Sequence, residues 1–155
     1  MRLQLTYNIV EQRLVGCISG VAINCTAGSG GRAGTKTKDA ENWWLKNNAL
    51  ATHVHQGAHQ FGPLPQGRYY MRLHEKHNNM VRLDPFPTNF MYGRSGFLIH
   101  GRGAIGSHGC IVPYDFNDVM KIYTAVKTYI STHKSNPVLE VIAVGSDVDR
   151  QFRTA

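Results

Sequence analysis

The stretch GFLIHGRGAIGSHGC, residues 96–110, brings one cysteine and two histidines together among five glycines. A thiol is mostly protonated near neutral pH, and only its thiolate is a strong nucleophile. A histidine within reach can take that proton and leave an imidazolium beside the sulfur. Cys110 is therefore the candidate nucleophile and His100 the candidate base. Such a base needs a third group to fix its tautomer, and a backbone carbonyl close to it can do so. The turn Ser107-His108-Gly109 leads into Cys110. Its successive N–H groups can surround a developing oxyanion, and glycine at 109 keeps side-chain bulk out of the approach. The chemistry this points to is acyl transfer through a thioester.

Two strands must carry these groups. The apolar run Phe97-Leu98-Ile99 ends on His100, and Ile111-Val112 resumes an apolar strand before Pro113. The reading is strand, tight loop, strand, with His100 and Cys110 at facing ends of the loop. Elsewhere, Leu3 to Ile9 alternates apolar and polar residues as a half-buried strand does. Leu14 to Ile23 is a second β-rich run, joined to the first across Glu11-Gln12-Arg13 as a hairpin. Residues 26–38 read as a Gly/Ser/Thr/Lys loop, and they lack the spacing of a phosphate-binding loop. Asp39 is expected to cap a short helix, Ala40 to Asn47, that carries Trp43 and Trp44. FGPLPQG, residues 61–67, is a proline-braced turn into a strand from Arg68 to His74. Asn78-Asn79 then turns the chain into Met80 to Asp84. The clearest helix follows Asp115, with a stripe of Phe116, Val119, Tyr123, Val126 and Ile130 for the core. Asn136-Pro137 ends it before a last strand, Val138 to Val144.

The chain has 155 residues, 42% of them hydrophobic. That suits one domain, residues 1–155, with enough apolar surface for a core. No apolar run is long enough for a transmembrane segment, and MRLQLTYNIVEQ lacks the apolar core and cleavage site of a signal peptide. The net charge of +7 favours anionic partners. The basic residues are scattered and accompany no nucleic-acid-binding motif, so nucleic acid is not the expected partner. Cys17, Cys25 and Cys110 include no CxxC pair; the first two are read as small thiols beside a strand pair, although a disulfide between them is conceivable in an oxidising compartment. His53, His55 and His59 have an H-x-H-x3-H spacing that a zinc hydrolase could use, but no fourth ligand or metal-site framework flanks them. Solvent-exposed histidines are the preferred reading, with no metal and no cofactor. For Trp43-Trp44 and Tyr69-Tyr70, burial of one member of each pair is expected.

The run IHG…SHGC resembles the motif of the L,D-transpeptidase family. That family's cysteine attacks the peptide bond after the third, diamino-acid residue of a peptidoglycan stem. Matched residue by residue, the resemblance implies Cys110 as nucleophile, His100 as base and the Gly101 carbonyl as the group orienting it. Ser107 and His108 then shape the site, and the N–H groups of Gly109 and Cys110 are the oxyanion donors. Arg94 and Arg102, on either side of the His100 strand, are expected to bind substrate. His100 and Cys110 lie only ten positions apart, and Val112 replaces the polar residue usual two positions after the cysteine. Both features, with GPLPQG-Y at 62–69, MYGRSGFLIHG at 91–101 and GCIV at 109–112, are similar to the branch that serves as type VI secretion effectors.

The fold so implied is mainly β, a sandwich or partly open barrel with one substantial helix packed on the sheet. The implied activity is L,D-carboxypeptidase or L,D-transpeptidase action on the terminal D-amino acid of stem tetrapeptides, and the short connection favours hydrolysis by leaving the thioester open to water. An antibacterial effector of this kind is made in the cytoplasm without a signal peptide and delivered into the periplasm of target bacteria. Its partners are peptidoglycan stem peptides, a type VI delivery component and a cognate immunity protein. The alternative within the family is a housekeeping crosslinking enzyme of the cell wall.

Overall fold

A computed structural model describes residues 2–29, 63–101 and 109–144. The strands are β1 (Leu5–Asn8), β2 (Arg13–Ile18), β3 (Val21–Ser29), β4 (Gly67–Leu73), β5 (Val81–Pro85), β6 (Phe97–Ile99), β7 (Ile111–Pro113) and β8 (Val138–Ile142). One helix, α1 (Phe116–His133), separates the last two. The strands close into a barrel in the order β1-β2-β3-β7-β6-β5-β4-β8, and β8 pairs in parallel with β1. The described residues thus form a mainly β fold with one packed helix. The sheet closes fully, where an open edge was expected, because residues at opposite ends of the chain pair: Leu5 with Leu139 and Tyr7 with Val141.

Alternation along the strands fills the barrel. Leu5 and Tyr7 of β1, Tyr69 and Met71 of β4, and Val81 and Leu83 of β5 are all buried. The fully buried Tyr7 hydroxyl satisfies its polar end by donating to the Ala27 carbonyl at 2.8 Å. Helix α1 starts as expected, with the Asp115 carboxylate accepting the Asn117 N–H at 2.9 Å. Lys134, in the left-handed conformation, ends it. The buried face consists of Val119, Ile122, Ala125 and Val126. Tyr123 and Ile130 flank that face, whereas Phe116 is 51% exposed. The helix touches β2, β3 and β7 and also β4, on the far side of the strand order, so it spans the barrel instead of following one strand.

The run 14–23 is two strands, not one. Ser19 and Gly20 both have positive φ, 51° and 77°, and form the tight turn of a hairpin in which Ile18 pairs with Val21. The second strand continues through Thr26 to Ser29, inside the stretch expected to be loop, because Ala27, Gly28 and Ser29 pair with Pro113, Val112 and Ile111. Backbone pairing there outweighs a composition with little to bury. The helix expected at 40–47, with Trp43 and Trp44, and the cluster His53, His55 and His59 lie outside the described residues. Among the described residues, no helix is long and apolar enough to cross a membrane.

Candidate active site

The site is built where β6 and β7 meet. These two short strands run parallel and share a single pair, Ile99 with Ile111. Both side chains are buried. Parallel strands ordinarily need a crossover of a dozen residues or more. The stagger removes that requirement, since the end of β6 lies beside the beginning of β7. His100 immediately follows one member of the shared pair and Cys110 immediately precedes the other. Alternation turns both away from the barrel interior, and both are half-buried. The His100 N–H donates to the Ile111 carbonyl at 3.1 Å, which ties the two strand ends together.

The imidazole of His100 is held from one side. Its Nδ1 lies 2.8 Å from the carbonyl oxygen of Gly101. A carbonyl can only accept, so Nδ1 carries the proton and Nε2 presents its lone pair. Gly101 is itself enclosed, because a Cβ there would fall 2.6 Å from the Phe116 ring at the start of α1. The exposed Phe116 therefore covers the carbonyl-bearing glycine, and the helix N-terminus helps to set the position of the histidine.

Around Cys110, burial and charge pull in opposite directions. Burial pushes the thiol above its ordinary range, while the Leu98 N–H and the guanidinium groups of Arg94 and Arg82 draw it down, and the net shift is upward. The Leu98 N–H donates to the sulfur at 3.4 Å. The net upward shift favours the protonated thiol over the thiolate. Arg82 reaches this neighbourhood by register: it pairs with Leu98 on β6 and with Arg72 on β4. Its Nη2 lies 2.7 Å from Glu75, whose carboxyl is held down at about 2, chiefly by that hydrogen bond.

Arg94 takes a different position from the one its charge suggests. It follows the turn Tyr92-Gly93, both at positive φ, and its N–H donates to the Met91 carbonyl at 2.9 Å. The side chain then turns inward and is only 6% exposed. Nη1 donates to the Pro63 carbonyl at 2.8 Å, and the guanidinium lies 5.1 Å from the centre of the Phe97 ring. Arg94, expected to bind substrate, is thus a buried strut beneath the strand end that carries Cys110. Gly109 rests on this strut. Its φ is +117°, and a Cβ would fall 2.6 Å from both Arg94 Nη2 and Phe97 Cε1, so a side chain there is strained and must displace both neighbours.

Ser107, His108 and Arg102 lie outside the described residues. Cys110, His100, Gly101 and Gly109 are brought to one corner. Two supporting residues escaped the sequence reading, Arg82 and the buried Ser29, because only strand pairing brings them near Cys110. Cys17 and Cys25 are free thiols on opposite faces of the β2–β3 hairpin, one exposed and one buried, so they cannot be joined. Of the two adjacent tyrosines, Tyr69 is fully buried with its hydroxyl 2.6 Å from the Pro65 carbonyl, and Tyr70 stacks on Phe86. Among the described residues no group of three or more potential ligands could hold a metal ion. Comparison of the chain with protein-family models, curated proteins and solved structures found no match.

Proposed function

We propose that this protein is a cysteine-dependent L,D-carboxypeptidase or L,D-transpeptidase acting on peptidoglycan stem tetrapeptides. The observation that carries the proposal is the His100 ring, fixed through Nδ1 by the Gly101 carbonyl at a strand end adjoining that of Cys110. Nε2 takes the Cys110 proton, and the sulfur attacks the carbonyl carbon that joins the third and fourth stem residues. A C–S bond forms and the oxygen takes up the negative charge. Collapse breaks the C–N bond, and the imidazolium returns its proton to the departing amine of the terminal D-amino acid. Water, or the amine of an acceptor, then attacks the thioester, breaks C–S and restores the thiol. The step uses no redox partner and no metal.

The similarity of residues 62–69, 91–101 and 109–112 to type VI effectors supports delivery into the periplasm of target bacteria, with an immunity protein guarding siblings. Purified protein incubated with disaccharide tetrapeptides should release the terminal D-amino acid and leave tripeptides, as read by mass spectrometry. Intact tetrapeptides after exhaustive incubation would sink the proposal. Fusion to a secretory signal should make the protein lyse a Gram-negative cell, and the same fusion of Cys110→Ala should be harmless. Lysis by both fusions would point instead to binding or membrane damage.

A further inference from the structure

We propose that Ser29 is a positioning residue that aims the Cys110 N–H at the oxyanion of the acylation step; this rests on the thioester reading above. Ser29 is the last residue of β3 and is fully buried. Its hydroxyl donates to the Gly109 carbonyl at 3.0 Å and accepts the Leu64 N–H at 2.9 Å. One side chain thus joins three segments that are distant in sequence: β3, the turn before β4 and the residue preceding the nucleophile. A second link runs alongside it, from Arg94 Nη1 to the Pro63 carbonyl. Arg94 Nη2 also backs the position where Gly109 carries no Cβ. Gly109 is therefore held by a hydrogen bond to its carbonyl and by packing against its Cα.

The direction of the next N–H follows. In a trans peptide the carbonyl and the N–H point opposite ways. With the Gly109 carbonyl drawn toward the buried hydroxyl, the Cys110 N–H is turned away from it. When the Cys110 sulfur bonds to a substrate carbonyl, the oxygen that gains charge is tethered to the same residue, within reach of that residue's own N–H. A donor fixed beforehand stabilises this charge without reorganising during the reaction. Without the Ser29 hydroxyl, the Gly109 carbonyl loses the hydrogen bond that orients it, and the direction of the Cys110 N–H is less sharply set. The hydroxyl touches no reacting atom, so its effect is on orientation alone.

The test compares two reactions of the same sulfur in wild-type protein and Ser29→Ala. Turnover of a disaccharide tetrapeptide passes through an oxyanion. Alkylation of Cys110 by iodoacetamide is a displacement at saturated carbon and forms none. Ser29→Ala should lower kcat about a hundredfold, with KM and the alkylation rate changed less than about threefold. Ser29→Thr keeps the hydroxyl and should hold kcat within about tenfold of wild type. An unchanged kcat in Ser29→Ala would overturn the inference. So would an equal fall in turnover and alkylation, which marks general damage to the site, or a Ser29→Thr as slow as Ser29→Ala. Wild-type protein that is alkylated but leaves the tetrapeptide intact would overturn the peptidoglycan reading, and this inference with it.

Discussion

Cys25 lies in β3 and Cys110 immediately precedes its neighbour β7, and both thiols are pushed up by burial. Their surroundings otherwise differ. Cys25 faces the core from β3, and after burial the main influence on it is the carboxylate of Asp118, which raises it further, to about 11. Cys110 faces outward at a strand end, where the Leu98 N–H, Arg94 and Arg82 all favour its thiolate. A histidine with its proton fixed on Nδ1 adjoins that same strand end. Cations act on both thiols, Arg13 and Lys121 on Cys25 and Arg94 and Arg82 on Cys110. What distinguishes Cys110 is the Leu98 N–H at its sulfur, which offsets part of the burial, together with a histidine placed by a different strand.

The largest expected contrast is catalytic. Cys110→Ala should lose all measurable tetrapeptide cleavage, whereas Cys25→Ala should keep most of it and cost about 1 kcal/mol of stability. Cys17→Ala, exposed on the far face of its strand, should change neither. Chemical denaturation beside the activity assay separates the three, and a Cys25→Ala protein as inactive as Cys110→Ala would erase the distinction.

Next in size is the base. His100→Ala should slow turnover by about three orders of magnitude or more. His108→Ala should slow it less, since its backbone N–H survives. Rates in the reverse order would exchange the two roles.

Gly109→Ala should damage the fold and the site together. The added Cβ meets Arg94 and Phe97, at a φ that disfavours side chains. The expected cost is about 2 to 3 kcal/mol, with turnover falling at the same time. A variant of unchanged stability and rate would mean that the strut beneath Cys110 is slack.

The smallest effect belongs to Cys25 and to alkaline pH. An unfolded thiol ionises near its ordinary value of 9.0, while folded Cys25 keeps its proton to about 11. Between those values the unfolded state binds fewer protons, so stability must fall as pH rises. Denaturant melts from pH 8 upward should show the decline, and Cys25→Ala should make its first part shallower, with the raised Cys110 thiol leaving a residual slope before the buried tyrosines contribute. A slope unaltered in Cys25→Ala would contradict the assigned burial.

The legible parts of this molecule were those whose signal is local. Alternation marks β1, β4 and β5, and the carboxylate of Asp115 followed by an apolar stripe marks α1. The order of Cys110, His100 and Gly101 within one segment suffices to suggest a base and its orienting carbonyl. The hidden parts depend on pairings between distant residues. Ser19-Gly20 is a turn that a continuous apolar run obscures, and Ala27 to Ser29 become strand only because β7 lies beside them. Arg94 reads as a surface charge until the Tyr92-Gly93 turn and the Pro63 carbonyl draw it inward. The role of Ser29 depends on Leu64 and Gly109, 35 and 80 positions away. No pattern within a window of sequence contains that link.

The central claim is that Cys110, alone among the three cysteines, carries the acyl group. Rapid acid quenching of purified protein with a disaccharide tetrapeptide, followed by mass spectrometry of its digested peptides, tests it directly. The expected result is a thioester adduct on the peptide containing Cys110, with unmodified Cys17 and Cys25 and with release of the terminal D-amino acid. Release of that residue at an undiminished rate by Cys110→Ala, with no adduct on any cysteine, would contradict the account.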